Sequence, residues 1–411
     1  MIAVTVDEAL HLWNEALREQ HHSIESVAVG DAKGCVLAED VLAPTDVPAF
    51  HKSAMDGYAL AYEPNCDTYI VDGIIGAGVV WDKPVTSGHA VRIMTGAPVP
   101  STCDTVIMQE QVKGTGEIGS TITIQGHQQK GSHIIPRGEE CSVGTVVIPK
   151  GTEVTSTVQT ILTGLGNTAV SVYAMPRILV LTSGHEVIEP GEPLAAGKIY
   201  NSNRMMICSL LNDLGFRRVT HYHVSDAPDK LDLEIARVLE LSEQADIIIS
   251  SGGVSVGMFD TMPLIYEKLG AKTLYERIQM RPGAASYGAI TPKGQLIFGL
   301  SGNPGAAFNG WHLLVVPTLR RYKGIKNWST PVLNCVMDCD LSKRNAFDRY
   351  VQGKVIFGDG QPRFVANRHF NSSSMLGLYT VNALACIPQG VHEVHEGDIF
   401  KVYLLGILPT I

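Results

Sequence analysis

At 411 residues and 45% hydrophobic, the chain can bury several cores, and length alone suggests roughly two to four domains. Lys and Arg number 32 against 41 Asp and Glu, a formal charge of −9, and without a basic tract this argues against a broad nucleic-acid or acidic-membrane surface. The eight cysteines are scattered with no C-x-x-C pair, the N-terminus has no basic-plus-apolar leader, and no apolar run reaches membrane-spanning length, so a reducing, cytoplasmic location is expected.

Thr5-Val-Asp-Glu8 is a capping box, and Leu10, Trp13 and Leu17 repeat at helical spacing, which predicts an amphipathic helix ending near His21. His21 and His22 sit at that helix end and are assigned no role. From Val27 the pattern is extended. It reaches a loop over residues 44–59 that is too polar at Ser53 and Asp56 for plain core, although Asp56-Gly57 alone would read as a turn. A second shaped loop, Arg92-Ile-Met-Thr-Gly-Ala-Pro-Val-Pro100, precedes a strand over 105–110, and strand-and-turn patterns continue to Pro149. A mostly β domain is expected there, followed by a short helix over 155–165 and a strand over 168–173.

The alternation then changes. Strands over 178–181, 219–224 and 246–250 alternate with helices over 204–214 and 229–241, which predicts a doubly wound α/β domain. The third strand breaks into Ser251-Gly-Gly-Val-Ser-Val-Gly257. Similar breaks occur at Ile278-Gln-Met-Arg-Pro-Gly283 and at Ile297-Phe-Gly-Leu-Ser-Gly-Asn-Pro-Gly-Ala306, the latter leading into a helical pattern over 307–322. In an open parallel sheet such turns line up at the carboxyl edge, where backbone N–H groups face an anion. Neither standard nucleotide motif fits, because Met258 stands where a P-loop lysine belongs and Gly252-Gly253 lacks G-x-G-x-x-G spacing. Glu186, Asp226 and Asp260 are expected near the same edge, where together they suit a hard cation such as Mg²⁺ beside an anion. For any one of them alone, an ordinary helix cap is the better reading.

The last domain starts near Pro331, with strands over 332–340, 350–357, 363–366 and 400–405, so a small β-barrel or sandwich is expected. His392-Glu-Val-His-Glu396 fails as a zinc motif because its histidines are three residues apart in a strand-and-turn context.

Assembled, these stretches resemble the molybdopterin molybdenumtransferase family, which includes bacterial MoeA and the C-terminal half of gephyrin. The match runs over nearly the whole chain. It rests on Asp46-Val-Pro48, Ser53-Ala-Met-Asp-Gly-Tyr-Ala59, Ile93-Met-Thr-Gly-Ala-Pro-Val-Pro100, Val106-Ile-Met-Gln-Glu110, Ile199-Tyr-Asn-Ser-Asn203, Ser250-Ser-Gly-Gly-Val-Ser-Val-Gly257 and Gly299-Leu-Ser-Gly-Asn-Pro304. The resemblance implies an elongated split domain (1–43 and 141–174), an inserted β domain (44–140), an α/β molybdopterin-binding domain (175–326) and a C-terminal β-barrel (327–411). It also implies that adenylylated molybdopterin and molybdate combine, with Mg²⁺, to give molybdenum cofactor and AMP. The implied protein is a homodimer whose cleft lies between the β domain of one subunit and the α/β and C-terminal domains of the other, with other cofactor-biosynthesis proteins as partners.

Carried onto this chain, Asp56, Thr95 and Arg281 become catalytic candidates. Ser53, Gly252, Gly253, Ser255, Gly257, Ser301, Asn303 and Ser373 become substrate-binding candidates, and Glu140, Glu186, Asp226 and Asp260 metal candidates. The chain departs from the family at several of these places. Arg281-Pro-Gly-Ala-Ala285 stands for Lys-Pro-Gly-Lys-Pro, Ser183-Gly-His-Glu186 for Thr-Gly-Asp-Glu, Glu140 for an aspartate, Asp226-Ala227 for an Asp-Asp pair, Ser301 for a proline and Gln352 for an arginine. Molybdate is an anion, so fewer cations should weaken or move its site. An active transferase is the leading expectation. A relative acting on tungstate and a non-catalytic pterin-binding scaffold are the alternatives.

Overall fold

The computed structural model describes residues 2–18, 23–254, 261–342, 346–358, 360–367 and 371–406. The chain forms two compact units, one of residues 39–150 and 160–168, the other of residues 1–38, 151–159 and 169–411.

The smaller unit is built on a six-stranded sheet in the order Thr105–Met108, Gly57–Leu60, His89–Ile93, Thr68–Ile75, Thr121–Ile124, Val112–Lys113, in which only the pairing of Thr68–Ile75 with His89–Ile93 is parallel. Its strands bury residues on both faces. Tyr58, Leu60, Tyr69, Val71 and Ile107 form one apolar cluster, and Ala59, Ile75, Val91, Ile93 and Val106 another, which follows from the two-residue repeat of a strand. The expected strand over 105–110 stops at Met108 and turns through a 3₁₀ element, Gln109–Gln111.

In the larger unit a six-stranded sheet runs Val219–Val224, Ile178–Ser183, Ile247–Ser251, Leu296–Leu300, Tyr287–Ile290, Lys272–Tyr275. The first four strands are parallel and the last two join antiparallel. Ile178, Val180, Ile247 and Ile249 pack on one face with Trp13, Ile207, Leu211 and Trp311. On the other face Leu179, Leu181 and Ile248 pack with Val238, Ile265 and Tyr266. Burial on both faces explains why these strands read as unbroken apolar runs. The opening strand, Ile178–Ser183, lies between the second and third, so the direction of winding reverses beside it. Two of the helices are Ser202–Asp213 and Leu231–Ser242. The expected helix over 307–322 begins earlier, at Pro304, and runs to Tyr322 through a π segment, Trp311–Val315. The π segment sits just before Pro317, which cannot donate a backbone hydrogen bond inside a helix.

The capping box forms as read. Glu8 N donates to Thr5 Oγ1 over 3.2 Å and Thr5 N to Glu8 Oε2 over 2.7 Å. The helix it starts, Val6–Ala16, ends earlier than expected. Arg18 N already closes a shorter turn onto Glu15 O at 3.1 Å, and His21 and His22 lie outside the described residues.

One expectation is corrected. The break at 278–283 is not at the carboxyl edge of the parallel sheet. Arg277–Ile278 pairs with Ala3–Val4, and Met280–Arg281 pairs with the strand Asp348–Ile356 of the last domain. Pro282 supplies no N–H, and Ile278 N bonds Ala284 O across the turn at 3.0 Å, so the segment closes on itself and serves as a seam.

The last domain is a closed barrel of five strands in the order Asp348–Ile356, Arg363–Ala366, Val332–Met337, Ile399–Leu404, Ala383–Ile387, with the last pairing back to the first. Sequence pattern missed Ala383–Ile387, because all five of its residues are buried and show no alternation. All eight cysteines are free thiols. Among the described residues no helix is long and apolar enough to cross a membrane.

Candidate functional site

A cavity of about 800 Å³ opens in the larger unit, and its lining includes Ser183, Glu186, Asn203, Asp226, Gly252, Gly253, Asn303 and Ser373. It lies at the carboxyl ends of Ile178–Ser183 and Ile247–Ser251, where the winding of the sheet reverses, the position at which open α/β sheets bind ligands.

Short polar bonds hold the loop ends together. Asn203 Nδ2 donates to Ser251 Oγ and to Gly302 O, each at 2.8 Å, and Ser251 Oγ donates to Ser301 O at 3.0 Å. Asn201 caps the helix Ser202–Asp213, its side chain accepting from Arg204 N at 3.2 Å. Its Nδ2 donates to Thr182 Oγ1 at 2.9 Å. Thr182 also meets His221 Nε2 at 3.0 Å and His223 Nδ1 at 3.1 Å. Burial, with the neighbouring Arg204 guanidinium acting in the same direction, lowers the His221 pKa to about 4.

Among the described residues, three in the lining keep a buried polar atom without a protein partner: Ser183 Oγ, Asn203 Oδ1 and Asp226 Oδ1. Such groups cost stability unless something else satisfies them. Their meeting in one cavity makes it the candidate site for a polar ligand. Gly252 is needed where it stands. Its φ is +89°, and a side chain there would begin 2.6 Å from Ser183 O, a backbone atom at the end of a strand paired with Val219–Val224. Gly252→Ala should therefore displace the turn and weaken binding of a phosphate ester by about tenfold, with only a modest fall in melting temperature. Titration of both proteins with AMP, followed by calorimetry, checks this, and unchanged affinity would remove the turn from the site.

Glu186 and Asp226 come together as expected, and His185 joins them. One ligand atom from each of the three lies within 4.8 Å of the others. His185 Nδ1 is 3.7 Å from Asp226 Oδ2 and 3.9 Å from Glu186 Oε2. An orphaned buried carboxylate oxygen and a second carboxylate fit a divalent cation. Ser255, Gly257 and Asp260 lie outside the described residues.

Other candidates fall elsewhere. Ser301 supports the turn, its Oγ accepting from Asn303 N at 3.3 Å. Arg281 is exposed on the seam with the barrel. Gln352 is buried and bonds Gly305 O and Asn309 Oδ1, both at 2.8 Å, so it joins the barrel to the helix that follows the cavity. In the smaller unit the loops at 53–56 and 94–97 are zipped by Gly96 N to Ser53 O at 2.8 Å and Ser53 N to Ala97 O at 2.9 Å. Ser53 is fully buried, with Oγ donating to Met55 O at 2.6 Å, so it shapes this loop. Asp56 Oδ1 accepts from Thr95 N at 2.7 Å and Thr95 Oγ1 at 2.9 Å. Glu140 is exposed, and its N–H bonds Val47 O at 2.9 Å. Sequence reasoning missed Thr182, His185, Asn201 and Asn203 as site-builders. An asparagine at the start of a helical pattern was the available signal for Asn201.

Comparison with known proteins decides the family. Residues 4–166 match the MoeA N-terminal region (domain I and II), 179–321 a probable molybdopterin binding domain, and 334–405 the MoeA C-terminal region (domain IV). The chain is 33% identical over 410 residues to molybdopterin molybdenumtransferase of Staphylococcus epidermidis, covering 98% of this chain and 95% of that one. The chain belongs to the molybdopterin molybdenumtransferase family. The Bacillus subtilis molybdopterin molybdenumtransferase is 35% identical over 408 residues, 95% of this chain and 93% of the relative. The molybdopterin biosynthesis MoeA protein of Pyrococcus horikoshii shares the fold, with a TM-score of 0.80 at 24% identity, covering 98% of this chain and 100% of that one. Within the family fold, the cavity occupies the segment of the chain matched to the molybdopterin binding domain, with Ser373 and Met375 added from the C-terminal region.

Proposed function

We propose that this protein is a molybdopterin molybdenumtransferase that combines adenylylated molybdopterin with molybdate, its oxyanion substrate, to give molybdenum cofactor and AMP. The observation that carries the reading is the convergence of Ser183, Asn203 and Asp226 on one cavity, each with an unpartnered buried polar atom, in a chain related over nearly its full length to proteins of that name. In this reading Gly252 shapes the turn that brings the Gly253 backbone to the phosphate end, and Asn203 Oδ1, whose amide hydrogens are spent on Ser251 and Gly302, accepts from an N–H of the pterin end. Ser373 and Asn303 line the same cavity. Glu186 and Asp226 hold a divalent cation. When bound, that cation neutralises charge on phosphate oxygens as AMP departs. Asp56 is the orienting carboxylate. Its ionised form is favoured by the backbone and side-chain hydrogen bonds from Thr95, which hold its pKa below the ordinary 3.8. A carboxylate held ionised by two donors suits a fixed negative charge. The protein would act as a cytoplasmic homodimer.

The test is AMP release from adenylylated molybdopterin with Mg²⁺ present and molybdate titrated. Saturable, molybdate-dependent release supports the transferase. Tight substrate binding without release in molybdate sinks it. Release with tungstate alone would then mark the other oxyanion, and none with either a scaffold.

A further inference from the structure

We propose that His185 is a metal ligand, and that the trio His185, Glu186 and Asp226 binds zinc-type transition ions in preference to Mg²⁺. The proposal rests on the reading of this cavity as a cation-dependent site, but it concerns which ion the chain itself selects.

Geometry comes first. Asp226 is the fixed member, with its side chain 13% exposed and Oδ2 3.7 Å from the imidazole. Its other oxygen, Oδ1, is buried without a protein partner. Glu186, 43% exposed, brings Oε2 to 3.9 Å from the same nitrogen. Around a tetrahedral zinc ion with bonds of about 2.0 Å, neighbouring ligand atoms stand about 3.3 Å apart. The two spacings from His185 therefore need a contraction of about half an ångström, and the Glu186–Asp226 spacing, within 4.8 Å, closes with the movement of the exposed Glu186 side chain. Two of the three side chains are exposed enough to make it. Lys198 Nζ donates to the His185 carbonyl, which ties the backbone of the loop in place while leaving the ring nitrogen free to turn.

The surroundings supply a second, independent indication of a ligand. Ser183 is 6% exposed and Asn203 is 8% exposed. Both line the same cavity as the trio, and each keeps a buried polar atom unpartnered. Among the described residues the trio supplies three ligands, and the cavity of about 800 Å³ that it faces has room for a bound anion or water, as open metal sites do.

Donor chemistry then decides the ion. Mg²⁺ demands oxygen donors in near-octahedral geometry and keeps several of its waters, so an imidazole contributes little to it. Zn²⁺ and Co²⁺ accept imidazole nitrogen readily, and stability at mixed nitrogen and oxygen sites rises along the first transition row. Two carboxylates alone would suit Mg²⁺. The added nitrogen moves the preference.

The test uses the full chain, stripped of metal, with Co²⁺ as a visible probe and Zn²⁺ and Mg²⁺ as competitors. The expected result is one equivalent of Co²⁺ with visible absorption, displaced by stoichiometric Zn²⁺ and retained in a large excess of Mg²⁺. His185→Asp should weaken Co²⁺ and Zn²⁺ binding by at least about tenfold while leaving or improving Mg²⁺ binding. Glu186→Gln should weaken both classes of ion. Co²⁺ affinity and spectrum unchanged in His185→Asp, or Co²⁺ displaced by equimolar Mg²⁺, would overturn the proposal. AMP release is scored separately. Zinc-type selectivity without AMP release counts against the transferase and leaves the metal preference standing, and AMP release with Mg²⁺ preferred does the reverse.

Discussion

Replacing Asp56 by alanine is expected to lower the rate of AMP release by about a hundredfold or more, because a reacting group misplaced by an ångström can cost that much. The carboxylate is held by two donors of one residue, Thr95 N at 2.7 Å and Thr95 Oγ1 at 2.9 Å, so alanine removes both the charge and the tie between two loops. Asp56→Asn separates these effects, since an amide oxygen still accepts from Thr95 but carries no charge. If charge is what matters, Asp56→Asn should resemble Asp56→Ala in rate and wild type in loop order. The pH dependence follows from sign. A carboxylate whose folded pKa lies below its ordinary value of 3.8 is ionised throughout the neutral range, and its favourable term is lost only as pH falls through that lowered pKa. The rate of the wild-type protein should then show no acid limb between about pH 5 and 7 that disappears in Asp56→Asn. Steady-state rates of the three proteins across that range decide it, and such a limb would make Asp56 a general base.

Trp13→Ala is expected to destabilise the larger unit by about 3–5 kcal/mol, the usual range for deleting a buried aromatic side chain. Trp13 is 1% exposed. Its ring lies 4.5 Å from that of Phe298, centroid to centroid, and its Nε1 donates to the Tyr275 hydroxyl at 3.1 Å. The substitution therefore opens a cavity beneath the sheet and also strands a buried hydroxyl. Trp13→Phe keeps most of the packing and loses the hydrogen bond, so a smaller loss of about 1–2 kcal/mol is expected. Urea unfolding followed by near-ultraviolet circular dichroism gives the comparison. A loss under about 1 kcal/mol for the alanine variant would mean that the opening helix is not anchored through this ring.

Trp13 also shows why much of the fold is legible in the sequence. Its spacing from Leu10 and Leu17, together with the capping box, is local information. So is the run of buried residues in Ile178–Ser183. The glycine turn at 252–253 is legible because a left-handed backbone leaves few alternatives to glycine. Other features depend on partners distant in sequence. Arg281 reads as a third turn at the sheet edge, yet its two-residue strand pairs with Arg349, and nothing local to residues 278–283 encodes that. Ala383–Ile387 escapes because burial on every side erases alternation. His185 stands out in the sequence only as a change of charge, and its place between Glu186 and Asp226 depends on where two different strands end.

The junction at Gly305 bears on how the chain can be divided. A side chain there would begin 2.8 Å from Asn371 O, 3.0 Å from Ser374 O and 3.1 Å from Ser372 O, and Ala306 N donates to Ser372 O at 3.1 Å. The barrel loop that offers Ser373 to the cavity is thus seated on the first turn of a helix belonging to the α/β domain. Exchanging barrels between relatives at the linker near Pro331 would separate surfaces shaped to each other. The unit that can be recombined without loss is the pair, with Gly305, Gln352 and residues 371–374 inherited together.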